Sequence, residues 1–174
     1  MESTAYMEDA MQKWDELGIH FDAITTGFLA SEEQARTVAH YCREQAQQGT
    51  EIFVDPVMGD YGRLYSGANE GTVRCMQEML GVAHLSFPNY TEACLLAGVP
   101  YQEQGITTDE AYALVDKLRQ LGSLSVLITT CIVDGQHAVV GYNHFTGEHF
   151  LLPYDEIPVQ FPGTGDIFSS IIVG

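Results

Sequence analysis

Toward its carboxyl end the chain reads Phe161-Pro162-Gly163-Thr164-Gly165-Asp166 and then runs into an apolar stretch, Ile167 to Gly174. Two glycines around a hydroxyl residue let successive backbone N–H groups turn toward one point. A helix formed by the following stretch would add its positive end, which makes a site for an anion, most often a phosphate. A carboxylate beside bound phosphate is electrostatically unfavourable. Asp166 makes sense there if it takes a proton from a hydroxyl that attacks the phosphate.

Other residues could join it. Asp55-Pro56-Val57-Met58-Gly59-Asp60 puts two carboxylates in one loop, with Pro56 stiffening the exit and Gly59 permitting an unusual turn. Hard carboxylate oxygens suit Mg²⁺, which keeps several waters and takes one or two protein carboxylates. The plainer reading is that Asp55 caps a turn and Asp60 is solvated. Asn89 and Glu92 follow Pro88 at a helix start. There Glu92 either complements the helix dipole or holds a metal-bound water, and Asn89 could donate to a phosphate. Thr129 and Thr130 offer hydroxyls to phosphates or simply finish a strand. Phe28, after Gly27, stacks on a flat ring or packs in a core.

These residues need a frame that gathers them. Residues 3–17 read as a helix started by Ser3 or Thr4, with Met7, Met11 and Trp14 at helical spacing. Phe21–Thr26 reads as a strand. Residues 31–48 read as a helix opened by a Ser31/Gln34 capping box. Ile52–Val54 is a strand, Asn69–Leu80 a helix, His84–Phe87 a brief strand, and a short helix after Asn89 ends near Gly98. A helix from Thr107 or Thr108 to Leu121, a strand over Leu124–Thr129, and two antiparallel strands, Gln136–Tyr142 and His149–Leu152, complete the series. Strands alternating with helices predict βαβ units and a parallel sheet. Ligands collect beyond the carboxyl ends of such strands, which is where Asp55, Asn89, Thr129 and Gly27 fall.

At 174 residues the chain is read as one domain with a real core. With 7 Lys+Arg against 24 Asp+Glu, a net charge of −17, it offers no surface for nucleic acid. No apolar run reaches membrane-spanning length, and the start does not resemble a secretory signal. Cys42, Cys75, Cys94 and Cys131 form no C-x-x-C pair, which predicts reduced core thiols and a cytoplasmic setting. There is no Walker A motif, no Gly-x-Ser-x-Gly elbow and no metal-ligand spacing among the histidines.

Taken together, Gly163-Thr164-Gly165-Asp166 resembles the signature of the ribokinase-like superfamily. Asp55-Pro56-Val57-Met58-Gly59-Asp60 with Tyr65, then Pro88-Asn89-Tyr90-Thr91-Glu92-Ala93, resembles its vitamin-kinase branch. Thr26-Gly27-Phe28 is similar to the Thr-Gly-Tyr stretch of pyridoxal kinases. The resemblance implies an α/β fold, a three-layer α/β/α sandwich with a mostly parallel central sheet. It implies ATP-dependent phosphorylation of the hydroxymethyl group of pyridoxal, pyridoxine or pyridoxamine, with Asp166 as base and the N–H groups of Gly163, Thr164 and Gly165 as anion hole. Asp55, Asp60 and Glu92 would organise Mg²⁺ largely through water, and a monovalent cation is left open. Asn89, Thr129, Thr130 and Tyr65 would contact or flank ATP phosphates, while Gly27 and Phe28 would line the ring pocket. A homodimer is implied as well.

Two residues depart from the pattern: Phe28 replaces the usual Tyr, and Phe87 stands where relatives often carry a small polar residue. Relatives also carry an added N-terminal portion and continue well beyond Gly-Thr-Gly-Asp. Residues 1–174 are therefore expected to be the central portion of a single kinase domain, an incomplete sandwich with little activity alone. A hydroxymethylpyrimidine kinase of the same superfamily, or a non-catalytic nucleotide-binding remnant, are the alternatives.

Overall fold

Four side-chain caps set where the helices begin. The computed structural model describes residues 3–157 and 163–174, so Phe161 and Pro162 of the anion motif lie outside the described residues. In chain order the elements are α1 (Thr4–Glu16), β1 (Ala23–Thr26), α2 (Glu32–Gln47), β2 (Glu51–Val54), β3 (Gly59–Asp60), β4 (Arg63–Leu64), α3 (Glu70–Leu80), β5 (Leu85–Ser86), α4 (Tyr90–Ala97), α5 (Thr108–Gln120), β6 (Ser125–Val133), β7 (Gln136–Asn143), β8 (Glu148–Pro153) and α6 (Thr164–Val173). Ser31, Asn69, Asn89 and Thr107 each accept a hydrogen bond from an N–H in the first turn of α2, α3, α4 and α5. Thr107 and Glu110 form a reciprocal capping box, which settles the start of α5. At Ser31 the side chain accepts from Gln34 N–H, and Gln34 Oε1 accepts from Ala30 N–H, one residue earlier than the expected box.

A six-stranded sheet runs in the order β1-β2-β5-β6-β7-β8. The first three ladders are parallel and the last two antiparallel. The steps β1→β2→β5→β6 all move the same way, so right-handed crossovers put their helices on one face. Accordingly α1 packs on α2, α2 on α3, α3 on α4 and α4 on α5. Ile52, Val54, Val126, Ile128 and Val140 point into that layer and meet Met76, Met79, Leu80, Val115 and Leu118 in one core. Strand alternation turns Phe53, Leu85 and Leu127 to the other face. There α6 supplies the third layer: Phe168 near its start borders the same cleft as Val139, and Val173 at its end lies by Ala23 and Phe53. Unlike the other helices, α6 has no buried residue.

Two features differ from the sequence reading. The strand expected to stop at Thr129 continues to Val133, across a bulge between Ile128 and Cys131. The extra residue lets both of those side chains reach the core, at 0% and 1% exposure. The β3–β4 hairpin, turning through Tyr61 and Gly62 at φ 49° and 73°, was not foreseen. The four cysteines are free and buried, and among the described residues no helix is long and apolar enough to cross a membrane.

The core makes a direct prediction. Leu118 is fully buried beneath the sheet, so Leu118→Ala should lower unfolding free energy by about 2–5 kcal/mol in a urea titration.

Candidate active site at the carboxyl edge of the sheet

Gly163 begins α6 at φ 86°, a left-handed conformation that glycine adopts without strain. It makes no side-chain cap, and the first backbone bond of the helix runs from Ile167 N–H to the Gly163 carbonyl at 3.1 Å. Among the described residues, no carbonyl receives the N–H groups of Thr164, Gly165 and Asp166. Asp166 curls back over this turn, its Oδ2 being 3.7 Å from where a Cβ on Gly163 would sit. A Cβ on Gly165 would meet nothing within 4 Å. The missing side chain at Gly165 leaves room at the helix start for something other than protein.

That helix start opens on a cleft of about 680 Å³. Asp55, Asp60, Tyr65, Asn89, Glu92, Thr129, Thr130, Gly163, Thr164, Gly165 and Asp166 all line it. Eleven residues scattered over more than a hundred positions thus meet at the carboxyl ends of β2, β5 and β6. Gly27 and Phe28 do not line the cleft. They leave β1, the edge strand of the sheet, and Phe28 is 68% exposed.

Burial, and next the Asp166 carboxylate, push the Asp55 carboxyl up to about 6. Two carboxyls that repel each other in a cleft are relieved by a cation. Asp60 Oδ1 accepts from Tyr61 N–H at 2.8 Å and so is held by its own turn. Glu92 is engaged differently. Its Oε1 accepts from Met58 N–H at 3.0 Å and Gly59 N–H at 3.5 Å, and its Oε2 from Asn89 N–H at 2.9 Å. Burial pushes its carboxyl up to about 8, opposed by these N–H donors. Asn89 is equally occupied, donating to the Gly59 carbonyl at 2.8 Å and accepting from Glu92 N–H at 2.9 Å. Among the described residues no three His, Cys, Asp or Glu side chains converge as a direct metal cage. The set suits a hard divalent ion that keeps most of its water, with Asp55 and Asp60 as its protein carboxylates.

Thr129 and Thr130 form the bulge of β6. Thr129 N–H donates to the Pro88 carbonyl at 3.0 Å, and Thr130 Oγ1 accepts from Tyr90 N–H at 3.4 Å. Thr130 has φ 58°, a strained conformation for a β-branched residue.

The sequence reading missed Val57, Val139, Tyr154 and Phe168, which also border the cleft. Tyr154 could have been found by counting reversals. Two antiparallel pairings restore the direction of β6 in β8, so Tyr154 emerges at the same edge. Phe87, flagged only as a departure, is 4% exposed and forms part of the apolar wall.

The sequence profile of the phosphomethylpyrimidine kinase family matches residues 10–174. The chain belongs to that family. It is 31% identical over 163 residues to the pyridoxal kinase PdxY of Paraburkholderia phymatum, covering 87% of this chain and 53% of that protein. A Bacteroides thetaiotaomicron protein named as a phosphomethylpyrimidine kinase, solved with pyridoxal, superposes with a TM-score of 0.89 at 30% identity, covering 100% of this chain and 63% of that one. Pyridoxal kinase from Leishmania donovani, in complex with ADP and pyridoxamine, gives a TM-score of 0.78 at 25% identity, covering 99% of this chain and 63% of that one. The fold is the ribokinase-like α/β arrangement, and the chain spans about half the length of the curated relatives it matches.

The raised Asp55 carboxyl yields a pH prediction. Its contribution to stability is fully present below the unfolded value of 3.8 and is lost as pH rises through about 6, because the unfolded state ionises first. Asp55→Asn should therefore match the parent near pH 4 and exceed it by about 1–3 kcal/mol above pH 6. Chemical denaturation at a series of pH values checks this; an equal gap at every pH would exclude it.

Proposed function

We propose that this chain carries the phosphoryl-transfer site of an ATP-dependent kinase acting on the hydroxymethyl group of a vitamin B6 vitamer. The observation that carries the reading is the uncapped N-terminus of α6, with Asp166 in its first turn, opening on the cleft that Asp55 and Asp60 border. Asp166 takes the proton from the vitamer hydroxyl as its oxygen attacks the γ-phosphorus of ATP, and the bond from that phosphorus to ADP breaks. The N–H groups of Gly163, Thr164 and Gly165 face the charge that spreads over the transferring oxygens. Thr129, Thr130 and Tyr65 flank the remaining phosphates. Mg²⁺, when bound, supplies charge neutralisation at those oxygens; Asp55 and Asp60 are the residues to hold it, mostly through water. The ADP complex of the Leishmania relative supports the choice of nucleotide, and the pyridoxal and pyridoxamine bound in relatives support the choice of acceptor. A homodimer and a cytoplasmic setting belong to the same proposal.

A second acceptor is favoured by one observation: the family profile is that of phosphomethylpyrimidine kinases. Side-by-side turnover of pyridoxal and hydroxymethylpyrimidine decides between them.

In an assay of acceptor-dependent ADP formation by a full-length kinase that carries this segment, Asp166→Asn should lower kcat by about 10²–10⁴-fold with nucleotide binding retained. A near-parental kcat in that variant would remove Asp166 as the base.

A further inference from the structure

The cleft has two unlike ends. Asp55, past the end of β2, lies close enough to Asp166 for that carboxylate to push its own carboxyl up, so the reacting phosphate and hydroxyl belong at this end. β7 and β8 stand on the far side of β5 and β6. Three strand spacings, about 14 Å, separate β2 from β7. There Val139 and Tyr154 border the cleft. Of the two substrates, the acceptor must bring its hydroxyl to Asp166. Only the nucleotide extends away from the transferred group, by two more phosphates and a ribose, to a flat base.

Tyr154 is the first residue past β8, an edge strand whose sheet neighbour is β7. It is tied to one residue there. Its N–H donates to the His137 carbonyl at 2.9 Å, and its ring lies 5.8 Å from the His137 imidazole at an angle of 43°. Two residues on, Glu156 Oε2 stands 3.2 Å from His137 Nε2. Ala138 and Val140 lie in the core, so strand alternation puts His137 and Val139 together on the opposite face, that of the cleft. Neither His137 nor Glu156 borders the cleft. A carboxylate only accepts, so Nε2 carries the hydrogen whatever the charge of the ring. That bond stops the imidazole from turning and sets the surface it offers to Tyr154. Burial, then the Glu156 carboxylate and Cys131, push the Tyr154 phenol up, so it remains an uncharged hydroxyl.

From this geometry we infer that His137 and Glu156 are positioning residues: they latch Tyr154 in place as a wall for the base of the nucleotide, without touching the ligand themselves. The inference rests on the reading of this cleft as a nucleotide site. A wall that already stands when the ligand arrives avoids the loss of side-chain freedom that binding otherwise exacts. The latch asks for an N–H on one side and an accepting oxygen on the other, not for charge on either.

The test measures binding by calorimetry to a full-length kinase that carries this segment, with ADP as the base-bearing probe and inorganic pyrophosphate as the phosphate-only one. The Glu156 side chain is 62% exposed, so its variants leave the core intact. Glu156→Ala should weaken ADP by about three- to tenfold and move pyrophosphate by less than about twofold. Glu156→Gln removes the same charge but keeps an oxygen that accepts from Nε2, and should bind ADP within about twofold of the parent. His137→Ala should lose about as much as Glu156→Ala, and neither change should add to Tyr154→Ala, since all act through one ring. Equal losses for ADP and pyrophosphate would make the latch general support of the fold and overturn the inference. So would parental ADP affinity in Glu156→Ala, a loss in Glu156→Gln as large as in Glu156→Ala, or a further loss when Glu156→Ala is added to Tyr154→Ala. If pyrophosphate does not bind the parent, the coupling to Tyr154 measured with ADP alone decides. A parent that binds pyrophosphate but not ADP, or ADP binding that Tyr154→Ala leaves intact, removes the inference and leaves the phosphoryl-transfer reading standing. A parent that binds neither removes both.

Discussion

The arrangement depends on a shared strand direction. β1, β2, β5 and β6 run the same way, so every segment leaving them emerges at one edge of the sheet. Backbone hydrogen bonding fixes that edge to within a residue, because a slip by one would turn Val54 or Val126 out of the core. Asp55 follows Val54 directly, Asn89 follows β5 by three residues, and Thr129 lies within β6. Their meeting is enforced by the burial of residues that take no part in any chemistry. Appending β7 and β8 as a hairpin extends the edge without another crossover helix, and it delivers Tyr154 to the same cleft.

The fold was legible because its punctuation is chemical. Ser31, Asn69, Asn89 and Thr107 announce helix starts by residue type, and the buried runs Ile52–Val54 and Val126–Ile128 announce strands. The bulge at Thr129–Thr130 was not legible, since two threonines carry ordinary strand propensity. Only the demand that Ile128 and Cys131 both face inward reveals the extra residue. The β3–β4 hairpin was hidden for a similar reason: four paired residues around Tyr61-Gly62 leave no period to detect.

The site shows the same division. Residue type and spacing pointed to the anion turn and the carboxylates, because those depend on local sequence. Glu92 was harder to read. A glutamate in a first helical turn is ambiguous between dipole partner, cap and ligand, and two of its three N–H partners lie 33 and 34 residues earlier in the chain. Phe28 shows the limit of a local motif: residue type gives an aromatic after Gly27, while its place beside β1, with 68% of its surface exposed, comes only from the strand order.

The exposed helix α6 stands apart from the rest of the fold. None of its residues belongs to the core that gathers Met79, Leu118 and Ile128. The packing that sets the strand register is thus complete without it. Substitution in its first turn acts on the cleft and leaves that packing untouched, so the chemistry of this edge is separable from the endurance of the fold.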